Sequence, residues 1–225
     1  MERTGYIRIK FCGLTRLEDA VAAVQAGADM LGFNFYPQSR RFLAPVDCTR
    51  LVKGLREKLG HRLTHVQLVG IFVNARFREI ITIMEQCGLD LAQLSGDETA
   101  EELDRIGERA FKAIRSSGQL PLTQVSEIYP PRKSPPALLV DAASPEHYGG
   151  SGLTADWSQA EKLARKTPIL LAGGLNAVNV SEAIRLVRPW GVDVATGIET
   201  VPGIKDRTKM VNFVQAVRNE LSRCE

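Results

Sequence analysis

A thiol, a carboxyl, two guanidiniums and two glycine-ended apolar runs stand out in this sequence for the chemistry they can do together. Cys12 closes the run Lys10-Phe11-Cys12-Gly13. Beside a cation, a thiol's pKa can fall from about 8.5 toward neutrality, which makes it a base or a nucleophile. Packed in a strand, the same residue is a small hydrophobe. Asp141 follows Leu138-Leu139-Val140. A half-buried carboxyl there can have its pKa raised enough to act as a general acid, or it can cap a loop or pair with a cation. Arg40 and Arg41 lie in the segment Tyr36-Pro37-Gln38-Ser39-Arg40-Arg41. A guanidinium there is either a solvated surface group or a bidentate partner for a substrate carboxylate.

The glycine-ended runs are Leu170-Leu171-Ala172-Gly173-Gly174 and Val192-Asp193-Val194-Ala195-Thr196-Gly197. Backbone without side chains can approach a ligand closely and offer its N–H groups to an anion. As the last two strands of a (β/α)8 barrel, these runs would mark that fold's usual phosphate site. A further glycine-rich stretch, Gly149-Gly150-Ser151-Gly152, follows the Asp141 run and reads as a lid or a linker.

The elements that must position these groups are legible. Eight short apolar runs, Arg8–Cys12, Asp29–Phe35, Val66–Val73, Leu89–Leu94, Phe111–Arg115, Ala137–Asp141, Ile169–Ala172 and Val192–Ala195, alternate with stretches of helical period. That alternation predicts an α/β chain, a single (β/α)8 barrel domain spanning residues 1–225. Thr15 is placed to cap the first helix and Gly27 to end it; Asn176 is placed to cap the seventh and Pro189 to stop it, and Asp206 to open the last. The fifth helix is expected to be short or irregular, because Gln119–Pro136 carries five prolines and leaves at most a turn around Val125–Tyr129.

Bulk properties narrow the function. A net charge of +3, from 29 basic and 26 acidic residues, argues for neither nucleic acid nor a membrane surface as partner. Cys12, Cys48, Cys87 and Cys224 are too far apart for a zinc cage or a redox pair, and read as reduced thiols. No signal peptide or membrane-length apolar run is present, so a cytoplasmic location is expected. His61 and His65 have helical ligand spacing but no accompanying carboxylate, and with His147 they read as structural or exposed; no metal is expected.

The strand ends then match a family. The matching stretches are Lys10-Phe11-Cys12-Gly13-Leu14-Thr15; Gly27-Ala28-Asp29 through Ser39-Arg40-Arg41-Phe42; Val69-Gly70-Ile71-Phe72-Val73-Asn74; and Gln93-Leu94-Ser95-Gly96-Asp97-Glu98. Further along come Leu139-Val140-Asp141 with Gly149-Gly150-Ser151-Gly152, Ala172-Gly173-Gly174-Leu175 with Asn179-Val180, and Gly191-Val192-Asp193 through Gly197-Ile198-Glu199 to Pro202-Gly203 and Lys205-Asp206. With these, the chain resembles the phosphoribosylanthranilate isomerases of tryptophan biosynthesis over essentially its full length.

The resemblance implies an Amadori rearrangement of N-(5-phosphoribosyl)anthranilate to 1-(2-carboxyphenylamino)-1-deoxyribulose 5-phosphate, run by one acid and one base with no cofactor. Asp141 matches the general acid and Cys12 the general base. Arg41 matches the holder of the anthranilate carboxylate, with Arg40 the alternative if the loop register differs. Gly173, Gly174, Thr196 and Gly197 would hold the phosphate, and Asp193 would order the site without an assigned step. The expected partner is this one small phosphosugar substrate, bound by a monomer or homodimer.

Ser95 departs from the family's common His, Phe11 from Ile and Ala195 from Ser. Two rivals remain: a histidine-pathway sugar-phosphate isomerase of the same fold, and a non-catalytic phosphate-binding barrel. A two-phosphate substrate would call for a second glycine-rich strand end, yet the third strand ends Phe72-Val73-Asn74.

Overall fold

The computed structural model of the chain describes residues 6–115, 121–129, 132, 134–141 and 153–221. Each apolar run forms a strand: β1 (Arg8–Phe11), β2 (Met30–Asn34), β3 (Gln67–Phe72), β4 (Leu91–Leu94), β5 (Ala110–Arg115), β6 (Leu138–Asp141), β7 (Ile169–Ala172) and β8 (Gly191–Val194). The strands pair in parallel in chain order and β1 returns to β8, so the sheet closes into an eight-stranded barrel. Closure removes the sheet edges that an open arrangement would expose.

Alternation along each strand divides the apolar residues between two layers. Met30, Val69, Leu91, Phe111, Leu139, Leu170 and Ala172 point inward and fill the barrel. Ile9, Phe11, Leu31, Leu138, Val140, Leu171 and Val192 point outward, into the layer packed by the helices. Those helices are α1 (Leu17–Ala26), α2 (Pro45–Leu59), α3 (Phe77–Cys87), α4 (Ala100–Ile106), α5 (Leu122–Ile128), α6 (Leu153–Ala164), α7 (Val180–Val187) and α8 (Arg207–Leu221). None of the described helices is long and apolar enough to cross a membrane.

The fifth helix is short, as the prolines require, but it starts earlier than the sequence suggested. Leu122 is buried and its N–H is accepted by the Gln159 side chain of α6 at 3.0 Å, which anchors a seven-residue α5 directly after Pro121. Gly27 ends α1 in the left-handed conformation at φ 108°, and Asp206 caps α8 by accepting the Lys209 N–H at 3.0 Å. Thr15 does not cap α1. Its hydroxyl donates instead to the Gly203 carbonyl at 2.7 Å. Asn176 likewise sits ahead of α7, where its Oδ1 accepts the Val178 N–H in a tight turn, and the helix begins only at Val180.

After β8 the chain makes a 3-10 turn (Thr196–Ile198) and a small antiparallel hairpin of β9 (Glu199–Val201) and β10 (Ile204–Lys205). This hairpin is an addition to the barrel, and Glu199 stands opposite Lys205 within it.

Candidate functional site

Cys12 lies one residue beyond β1, at the C-terminal mouth of the barrel, where its N–H donates to the Val194 carbonyl at 2.9 Å. Lys10, two residues earlier, shares its inward face. The β1–β8 register sets Lys10 opposite Asp193, and the buried Lys10 ammonium donates to Asp193 Oδ1 at 2.7 Å. The Lys10 charge also acts on the Cys12 thiol, and each favours the other's ionised form. Space for the sulfur comes from β2, because a Cβ on Gly32 would stand 3.2 Å from Cys12 Sγ.

The sequence suggested that a neighbouring cation would lower this thiol's pKa. The surroundings reverse that expectation. Burial is the largest influence and pushes the Cys12 pKa above its ordinary value, with Asp193 adding to the rise, while Lys10 and Lys205 pull it down by less. Lys10 is itself held above its usual range: burial works against its charge, but Asp193 and Cys12 together outweigh that penalty.

Arg41, in the loop after β2, crosses Gly13 to reach the hairpin. Gly13 has φ +73°, and any Cβ there would collide with the Arg41 stem, so glycine is required both by the backbone and by the close approach. Arg41 Nε donates to Glu199 Oε1 at 2.8 Å and Nη2 to Oε2 at 2.6 Å, a bidentate pair that raises the guanidinium's pKa. Arg40 is exposed and has no side-chain partner among the described residues.

Glu199 also accepts from Lys205 Nζ at 2.9 Å and the Gly203 N–H at 3.1 Å. Lys205 Nζ in turn donates to the Cys12 carbonyl at 2.6 Å and the Ala195 carbonyl at 3.1 Å. Burial tends to raise the Glu199 carboxyl, yet its bonds to Arg41 and Lys205 outweigh that and hold it below the usual range. Burial dominates at Lys205 and lowers its pKa.

Sequence reasoning gave Glu199 and Lys205 no role. The signal was present: Pro202-Gly203 is a turn pair, and a hairpin centred on it sets the two charges face to face. Asp193, expected to order the site without an assigned step, accepts from Lys10 inside the barrel.

The two glycine-ended runs meet. Gly173 and Gly174 follow β7 at φ 102° and 63°, and Gly197 abuts the Leu175 carbonyl so closely that a Cβ could not fit. Asn179 Nδ2 steadies the first loop through the Gly174 carbonyl at 3.1 Å. Among the described residues, no group accepts from the backbone N–H of Gly173, Gly174, Thr196 or Gly197. Asp141 ends β6 in register with Ala172, half-buried, on the inward face set by Leu139 two residues before it. The segment Gly149-Gly150-Ser151-Gly152, with His147 and Cys224, falls outside the described residues.

Ser95 stands at the end of β4, its Oγ accepting from Gln93 Nε2 at 3.0 Å. It thus fills its place with a contact inside the barrel.

Comparison with known proteins decides what this mouth belongs to. A family model described as N-(5'-phosphoribosyl)anthranilate (PRA) isomerase matches residues 9–216. The chain belongs to that family. It is 44% identical over 213 residues to N-(5'-phosphoribosyl)anthranilate isomerase of Roseiflexus sp., covering 94% of this chain and 98% of that one. The crystal structure of phosphoribosyl anthranilate isomerase from Thermotoga maritima superposes with a TM-score of 0.81 at 36% identity, covering 95% of this chain and all of the other. A further solved isomerase, in complex with reduced 1-(o-carboxyphenylamino)-1-deoxyribulose 5-phosphate, has a TM-score of 0.78 at 33% identity, with 95% and 100% coverage. Of the three readings open from the sequence, the isomerase family is the one the matches support.

Proposed function

We propose that the chain, as one barrel domain, isomerises N-(5'-phosphoribosyl)anthranilate by an Amadori rearrangement with Asp141 as general acid and Cys12 as general base. The observation that carries this reading is the grouping at one barrel mouth. There a thiol and a carboxyl come from opposite parts of the sheet, beside a partly exposed guanidinium and a row of unengaged backbone N–H groups.

Asp141 gives its proton to the furanose ring oxygen as the C1–O bond breaks, and the anthranilate nitrogen's lone pair closes the C1=N bond of a protonated Schiff base. That cation acidifies the C2–H bond. The Cys12 thiolate removes the C2 proton, the C–H pair forms the C1=C2 bond of an enolamine as the C1=N pair returns to nitrogen, and protonation at C1 with loss of the C2 hydroxyl proton gives the ketone. The positive Schiff base also compensates for the burial that disfavours the thiolate in the free enzyme. Arg41 takes the anthranilate carboxylate and the Gly173, Gly174, Thr196 and Gly197 amides take the phosphate. Asp193 acts through Lys10, whose charge it maintains beside the thiol.

The test follows the substrate's fluorescence after mixing purified protein with freshly generated PRA. Turnover is expected, and its absence from well-folded protein overturns the reading. Cys12→Ser and Asp141→Asn should each lower kcat by about 10²-fold or more with product affinity largely kept. A variant that retains near-normal kcat would strip that residue of its role.

A further inference from the structure

We propose that Glu199 is a positioning residue for this reaction: it fixes the Arg41 guanidinium so that one edge of the fork is preset for the substrate's aromatic carboxylate. The inference rests on the reading of Arg41 as the carboxylate anchor, and it adds what makes that anchor selective.

A guanidinium offers two bidentate edges, Nε with Nη2 and Nη1 with Nη2. Glu199 occupies the first, with both bonds made by a carboxylate that is only 4% exposed. The Nη1 edge has no partner among the described residues, and the Arg41 side chain is 21% exposed. One edge is therefore held by the protein and the other left open.

Glu199 is fixed in its turn from the opposite side by Lys205 and the Gly203 N–H. All three Lys205 protons are spent, on Glu199, the Cys12 carbonyl and the Ala195 carbonyl. The carboxylate anchor is thus tied through Glu199 and Lys205 to the backbone of Cys12. This tie sets the distance between the end of the substrate that is gripped and the thiol that takes its proton, and small errors in such placement are costly to rate.

Charge and position make opposite predictions. Arg41, Lys205 and Glu199 sum to one positive charge, which matches one incoming carboxylate. Removing the Glu199 charge doubles that positive charge, so a purely electrostatic role predicts tighter binding of an anion. A positioning role predicts weaker binding, because a free arginine must be ordered at the moment of binding.

The experiment measures inhibition by two probes, reduced 1-(2-carboxyphenylamino)-1-deoxyribulose 5-phosphate and the same compound lacking the carboxyl group. The wild type is expected to prefer the carboxylated probe by about tenfold or more. Arg41→Leu should abolish that preference, and Glu199→Gln should cut it to within about threefold while raising KM more than it lowers kcat. Affinity for inorganic phosphate should stay within about twofold, which a general loss of structure would not allow. Should Glu199→Gln fail to fold, Glu199→Asp keeps the charge but withdraws the reach, and the same loss of preference is expected. If Arg41→Leu keeps the preference, the anchor itself has been misread. If Arg41→Leu loses it while the Glu199 variants keep or strengthen it, the positioning role is overturned.

Discussion

Two buried glutamates lace loops together at this barrel's C-terminal end, and they differ in what their partners have left over. Glu98 accepts from Lys112 Nζ at 2.6 Å and from the N–H groups of Asn74 and Gly96, each at 2.8 Å. Lys112 points outward from β5, donates also to the Gly96 carbonyl and lies 5.8 Å from the Tyr129 ring centre, while the Tyr129 hydroxyl donates to the Glu98 carbonyl. Both side chains of that ion pair are 3% exposed, and the network closes on itself. Around Glu199 the same chemistry stops one step short of closure, because Arg41 keeps an edge free. A closed buried network organises loops; an open one organises loops and presents a donor.

That contrast is sharpest when each glutamate is removed. Glu98→Ala leaves Lys112 buried without its carboxylate and should cost about 3–5 kcal/mol of stability. For a chain of this length that is a fall in Tm of roughly 6–20 °C. The protein that remains folded should show a KM within about twofold of wild type. A rise in KM comparable to that of Glu199→Gln would erase the distinction between the two networks.

Lys10 tests the contrast inside the barrel. Its ammonium is committed to Asp193, yet its charge still acts on the Cys12 thiol and favours the thiolate. Lys10→Met removes that stabilisation and leaves the Asp193 charge near the sulfur opposed only by Lys205. Both changes raise the thiol's pKa, so the ascending limb of the kcat/KM profile, already expected above the ordinary thiol range, should move further up in pH. Activity at neutral pH should fall with it. A profile that keeps its limb would mean that the titrating base is some group other than Cys12.

What could be read from the sequence, and what could not, follows the range of the interactions involved. Period-two apolar runs and local caps such as Gly27 and Asp206 carry their information within a few residues, so the eight strands and most helix ends were legible. The positions of Cys12, Asp141 and Gly173 at strand ends were legible too, because those ends follow directly from the apolar runs. Thr15 failed as a cap because its hydroxyl found Gly203, 188 residues away. The Arg41–Glu199 and Lys205–Cys12 contacts span 158 and 193 residues, and only closure of the barrel brings them together. The direction of the Cys12 shift was misjudged for a related reason: Lys10 is near in sequence, whereas the desolvation and the Asp193 charge that outweigh it come from the assembled barrel.

The smallest effect is one of linkage, and it isolates Glu199 from everything else at the mouth. Its bonds to Arg41 and Lys205 hold the folded carboxyl below its unfolded value of about 4.3. A depressed carboxyl contributes stability that is fully present above the unfolded value and is lost as pH falls through the folded one. Glutamine at this position cannot titrate. The difference in unfolding free energy between wild type and Glu199→Gln, measured by urea denaturation, should therefore be largest above about pH 5 and narrow steadily below about pH 4. A difference that stays constant across that interval would mean the carboxylate gains nothing from its two cations, and the fork it is supposed to hold would be no better ordered than a free arginine.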